Sequence, residues 1–194
     1  MMKKLLPKDI LSLEAYEESR NEIKQKVIEH KKNRSVMIHK HILLLFEDYD
    51  TIRYQVQEML RIENITSKDE ILDELNAYAP LIPDGNNLKA TMLIMYPDVS
   101  MRKSMLMKLN GIENEIWINF DNRRRVFAIP DEDLERSNEN KTSAVHFLRF
   151  QFDNEYVIGL KKSSKIFLGC SHSDYEQSVQ LEENISKSLM EDLN

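Results

Sequence analysis

Apolar residues recur along this chain with two different periods. Between residues 13 and 30, Leu13, Tyr16, Ile23 and Val27 fall at helical intervals among Glu, Lys and Arg, and Ser12 stands where an N-cap belongs. The pattern predicts a long helix with a thin apolar stripe lying on a sheet. Lys31, Lys32 and Arg34 would then complement the negative end of its dipole. Residues 41–47 are densely apolar and too short for an ordinary helix, so they read as a buried strand. From 51 to 63 the helical period returns. At about 100° per residue, Ile52, Val56, Met59 and Leu60 share one face, while Arg53, Gln57 and Arg61 form a row on another. Glu63 projects close to the apolar face.

Ser67 before Glu70 resembles a capping box and opens a helix to residue 78, ended by Pro80 and Pro83. Pro83, Asp84 and Gly85 suit a reversal into a strand over 88–96. Pro97 and Asp98 then start a helix to residue 110, with Gly111 at its C-cap region. Strand-like alternation over 115–120 and 124–129 about Asp121 and Asn122 reads as a β-hairpin. Residues 144–152 form another strand, in which alternation sends His146 and Arg149 to opposite faces. A short helix over 154–162, a strand over 166–170 and a charged tail over 182–194, a peripheral helix or a frayed end, complete the chain. The mixed order favours an α+β fold: one compact domain over 1–194, with a mixed, mostly antiparallel sheet and flanking helices.

Composition narrows the picture. Hydrophobic residues make up 41% and charged residues 31%, with few Gly and Pro, which is the profile of a folded globule. A net charge of −6 disfavours coating nucleic acid or anionic membrane, and Arg123, Arg124 and Arg125 lack an aromatic platform and read as a solvated hairpin tip. A lone cysteine, Cys170, permits no internal disulfide and fits a reducing compartment. Pro7, Lys8 and Asp9 interrupt residues 1–6 before a signal-peptide core forms, and no apolar run approaches the length of a membrane span, so the expected location is cytoplasmic.

Two segments gather groups able to bind. On the 51–63 helix, guanidinium groups one turn apart can hold a carboxylate or phosphate, with Gln57 orienting it and Glu58 and Glu63 nearby; ordinary helix-surface pairing is the competing account. The second segment runs from Asp131, Glu132, Asp133, Glu135 and Arg136 through Lys141 to the strand bearing His146 and Arg149. Here the competing account is a capped loop and a hydrogen-bonded core histidine. A metal reading takes His41, His146 and His172 as ligands for zinc or iron, with His39 and Glu47 beside His41. No HExxH, CxxC or paired ExxH spacing closes that site. Cys170 beside His172 invites thiol chemistry, against the simpler reading of a buried strand end.

Three strings, LLFEDYDTIRYQVQEMLRIE at 44–63, NAYAPLIPDGNNLKATMLIMYPD at 76–98 and AIPDEDLERSNENKTSAVHFLRF at 128–150, together resemble an uncharacterised bacterial protein family, domain of unknown function 3501. The resemblance spans nearly the whole chain and places His41, His146 and His172 within the family pattern, with His39 and Cys170 outside it. It implies an accessory role in redox or iron metabolism, with iron–sulfur or rubrerythrin-like redox proteins as partners. The leading expectation is therefore a binding or accessory protein that recognises an anionic ligand or redox partner. The alternatives are a metal-dependent enzyme with a His/Glu site, in which Glu58 and Glu63 join the histidines, and a structural subunit of a complex.

Overall fold

The computed structural model describes residues 4–121 and 123–194, so the hairpin-tip expectation for Asn122 and the start of the leader reading at Met1 to Lys3 lie outside the described residues. The chain is α+β. Helices α1 (Leu13–Lys32), α2 (Tyr49–Ile62), α3 (Lys68–Tyr78), α4 (Val99–Lys108), α5 (Asn154–Lys162) and α6 (Glu183–Met190) surround two antiparallel sheets. The strands are β1 (Ser35–Ile38), β2 (Ile42–Glu47), β3 (Asn87–Ile94), β4 (Ile116–Phe120), β5 (Val126–Phe127), β6 (Ile129–Pro130), β7 (Val145–Gln151), β8 (Ile166–Cys170) and β9 (Gln177–Gln180).

A five-stranded sheet runs β1-β2-β3-β7-β6 and a four-stranded sheet β5-β4-β8-β9. The expected single sheet is thus split. The expected hairpin contributes to both halves: Val126 and Phe127 pair with β4, whereas Ile129 and Pro130 pair with β7. Alternation explains the layering. Leu88, Ala90, Met92 and Ile94 of β3 are buried, and they join Leu44, Leu148, Ile118 and Leu168 in one hydrophobic cluster drawn from both sheets. Trp117 lies against Gly169 so closely that a Cβ there would collide with the indole.

A second, smaller cluster joins Leu5, Ile52, Val56, Leu60 and Leu75, so α2 and α3 build a helical lobe of their own. Helix α1 lies along α2 instead of on a sheet. The tail also departs from expectation. Residues 183–190 form the helix α6, one of the two expected outcomes, but Ile185, Leu189 and Leu193 are buried in the main core, so it is packed and not peripheral. Among the described residues, no helix is long and apolar enough to cross a membrane.

Candidate functional site

Helix α2 begins at Asp48, whose Oδ1 accepts from the Thr51 N–H at 2.9 Å while Thr51 Oγ1 accepts from the Asp48 N–H at 2.9 Å. The Arg53, Gln57, Arg61 row does not survive as one site. Gln57 is 4% exposed, and its amide is spent on the backbone of Leu11, accepting from the N–H at 2.9 Å and donating to the carbonyl at 3.1 Å. Arg61 turns to Glu58 at 3.3 Å and Glu17 at 3.7 Å. Glu63 is exposed at the α2 C-cap, not turned toward the core as its place in the helical period suggests, because the helix ends there.

Glu58 clamps α2 to α1. Arg20 donates to both of its oxygens, at 2.7 and 2.9 Å, and the Tyr16 hydroxyl donates at 2.5 Å. The Arg20 bonds, with help from Tyr16 and Arg61 and against burial, hold the Glu58 carboxyl down at about 2. Burial and the Glu58 bond together push the Tyr16 phenol upward.

Arg53 alone of the row keeps a free head. Half-buried, it makes no hydrogen bond or ion pair with any described residue, and it faces a groove of about 340 Å³ between α1 and α2. Ile23 and Val27 give that groove apolar walls; Lys26, His30 and Tyr54 stand around them, and Asp50 adds one acceptor at the N-terminal end of α2. Lys26 pairs with exposed Glu22 at 2.5 Å and His30 with Asp48 at 2.5 Å, so Arg53 is the groove's one cation without a carboxylate partner among the described residues, and the volume is that of a small-molecule cleft.

The second segment is a buried polar network. His146 is fully buried, with Nδ1 at 2.6 Å from Asp131 Oδ2 and Nε2 at 2.8 Å from the Thr142 hydroxyl. Thr142 donates to Glu113 at 2.8 Å, Ser137 donates to the other Glu113 oxygen at 2.5 Å, and Glu113 Oε2 lies 3.9 Å from His146. Asp131, in the left-handed region at φ 50°, also accepts the Phe147 N–H and an Arg136 bond. The order carboxylate, imidazole, hydroxyl resembles a nucleophile triad in connectivity, but His146 and Thr142 are both fully buried, so neither presents a reacting atom at the surface. The network pins the 131–143 loop to β7.

Arg149 points to the opposite sheet face, where it pairs with Glu132 at 2.7 Å, so it shares no site with His146. Glu135 and Lys141 are exposed on the loop surface. Asp131 and Arg136 are thus the loop's structural members; neither Glu135 nor Lys141 joins them.

The histidines are engaged separately. His41 stacks on Tyr96 at 4.1 Å and places Nδ1 2.9 Å from the Met95 carbonyl. His172 faces the Asn110 carbonyl and accepts the Asp174 N–H. His39, at φ 54°, sits edge-on to Tyr175, while Glu47 accepts from Thr91. Among the described residues, no group of three or more His, Cys, Asp or Glu is arranged to hold a metal ion, so the structure does not bring His41, His146 and His172 together as one ligand set. Burial pushes the Cys170 thiol up to about 11, and the sulfur meets the His172 backbone N–H at 3.4 Å, not its ring.

A further cluster carries no sequence motif. Arg34 is 1% exposed and donates to the carbonyls of Phe46 and Glu47, to Ser188 and to Asp192, with Asp48 at 3.2 Å. Asp48 in turn lies 2.5 Å from His30 Nε2 on the groove wall. Arg34 follows a basic helix end and looks like an ordinary dipole partner. Its burial depends on Asp192, far along the chain.

The chain is similar over 99% of its length to a crystal structure of a novel protein of unknown function from Burkholderia pseudomallei K96243, all of which is covered, with 44% identity and a TM-score of 0.92. No curated protein matches. A family model described as "Protein of unknown function (DUF3501)" matches residues 4–193, and the chain belongs to that family.

Proposed function

We propose that this chain is a binding protein for a small anionic ligand, seated in the groove between α1 and α2. The observation that carries the reading is Arg53, a half-buried guanidinium without an ion-pair or hydrogen-bond partner among the described residues, on a groove wall where Lys26 and His30 are already engaged by Glu22 and Asp48. The acidic group of the ligand would meet Arg53, an apolar body would lie on Ile23 and Val27, and a hydroxyl or ammonium would reach Asp50. A thermal-shift panel of short-chain carboxylates and phosphate monoesters tests the assignment. One class should raise Tm for the wild type but not for Arg53→Ala; a panel in which no anion raises Tm sinks it.

A second reading, an accessory protein docked on an iron–sulfur or rubrerythrin-like partner, draws support from the outer face of the five-stranded sheet. There the register aligns Met37, Leu43, Leu93 and Val145 across four strands, outside both hydrophobic clusters. The proposed place in redox or iron metabolism belongs to this reading. Val145→Glu should abolish binding to a purified partner of that class, and unchanged binding counts against it.

A further inference from the structure

The groove and the C-terminal helix lie at the two ends of one buried polar chain. His30, on the groove wall, meets Asp48 at 2.5 Å; Asp48 meets Arg34 at 3.2 Å; Arg34 donates to Asp192 and to the Ser188 carbonyl at 3.2 Å. Helix α6 is also held by apolar packing of Ile185 and Leu189, by Asn184, which donates to the Asn33 side chain at 2.8 Å, and beyond its end by Lys161 donating to the Leu193 carbonyl and the Asn194 N–H donating to the Gly85 carbonyl, each at 2.8 Å. The single guanidinium serves both carboxylates, so any change in how Asp48 is satisfied alters what Arg34 offers Asp192.

We propose that the His30, Asp48, Arg34 and Asp192 network couples the α1–α2 groove to the seating of α6, so that an anion drawn against His30 and the docked C-terminal segment alter one another's free energy. The step from groove wall to bound ligand rests on the groove reading above. The coupling is reciprocal: whatever seats α6 more firmly alters ligand affinity by the same factor. The titratable and charged groups around Asp192 are Arg34, Asp48 and Glu191, with His30 one residue further. Burial foremost raises the Asp192 carboxyl to about 6, which puts one member of the network near its titration at neutral pH.

Truncating Arg34 would strand two carboxylates, so the test uses milder changes: His30→Gln, Asp192→Asn and their combination in the full chain, with amide hydrogen exchange read across residues 183–193. Each single change should speed α6 exchange, and the double variant should differ from the product of the singles by more than about threefold. Fold-changes that multiply within error, or no response of α6 to His30→Gln, overturn the coupling. No anion enters this cycle, so its failure leaves the groove assignment intact, and failure of anions to bind leaves the cycle's result unaffected.

Discussion

Arg20 and Glu58 meet as a two-pronged ion pair across the α1–α2 interface, Nε to Oε1 at 2.7 Å and Nη2 to Oε2 at 2.9 Å, with the Glu58 side chain 13% exposed. The pair fixes how far apart the groove walls stand. Glu58→Gln should cost about 2 kcal/mol, the range for charged hydrogen bonds with little solvent access. The sign with pH follows from the depressed carboxyl. Its stabilisation is present above the ordinary 4.5 and is lost as pH falls toward about 2. Urea denaturation of both proteins should therefore show a gap at pH 7 that shrinks by pH 3.

Arg34→Met should be among the most damaging single substitutions, at about 3–5 kcal/mol, because it leaves Asp48 and Asp192 buried without their cation. Adding Asp192→Asn should recover part of the loss in the same denaturation assay.

Asp192 and Glu58 should respond to acid in opposite directions. The Asp192 carboxyl lies above its ordinary 3.8, so the native state binds its proton first, and this group adds stability as pH falls through about 6. Wild type minus Asp192→Asn should widen in favour of the wild type between pH 7 and pH 5, as read from denaturation midpoints.

Asp131→Ala should cost about 2–4 kcal/mol, since it strips a partner from fully buried His146, from the Phe147 N–H and from Arg136 together. The 131–143 loop should then gain proteolytic sensitivity, which limited digestion measures.

The legible parts of the sequence were those whose signal is local. Asn154–Lys162 and Ile166–Cys170 fall where pattern places them, because Asp153 caps one and an apolar run marks the other. Strand β9, Gln-Ser-Val-Gln, escaped because it is a polar edge strand held by backbone pairing to β8, which leaves no hydrophobic trace. The helix of the tail is legible but its docking is not, because its charges outnumber the Ile185, Leu189 and Leu193 contacts that anchor it. Type and spacing point to Arg53, which lines the α1–α2 groove. Gln57 was misplaced because Leu11, its partner, lies on a segment whose path only tertiary structure gives. Arg34, Glu113 and Asp192 were invisible for the same reason, each being satisfied by residues distant in sequence.

Arg53 is the residue on which the proposed anion-binding groove depends. The most direct test of that groove is titration of isotopically labelled protein with hexanoate and, separately, with hexyl phosphate, followed by amide shifts, for wild type and Arg53→Ala. Saturable shifts confined to residues 23–30 and 50–57, weakened about tenfold or more in a variant whose stability changes by less than about 0.5 kcal/mol, are the predicted result. Absence of saturable shifts at these positions with both anions, or equal affinity in the two proteins, would contradict it.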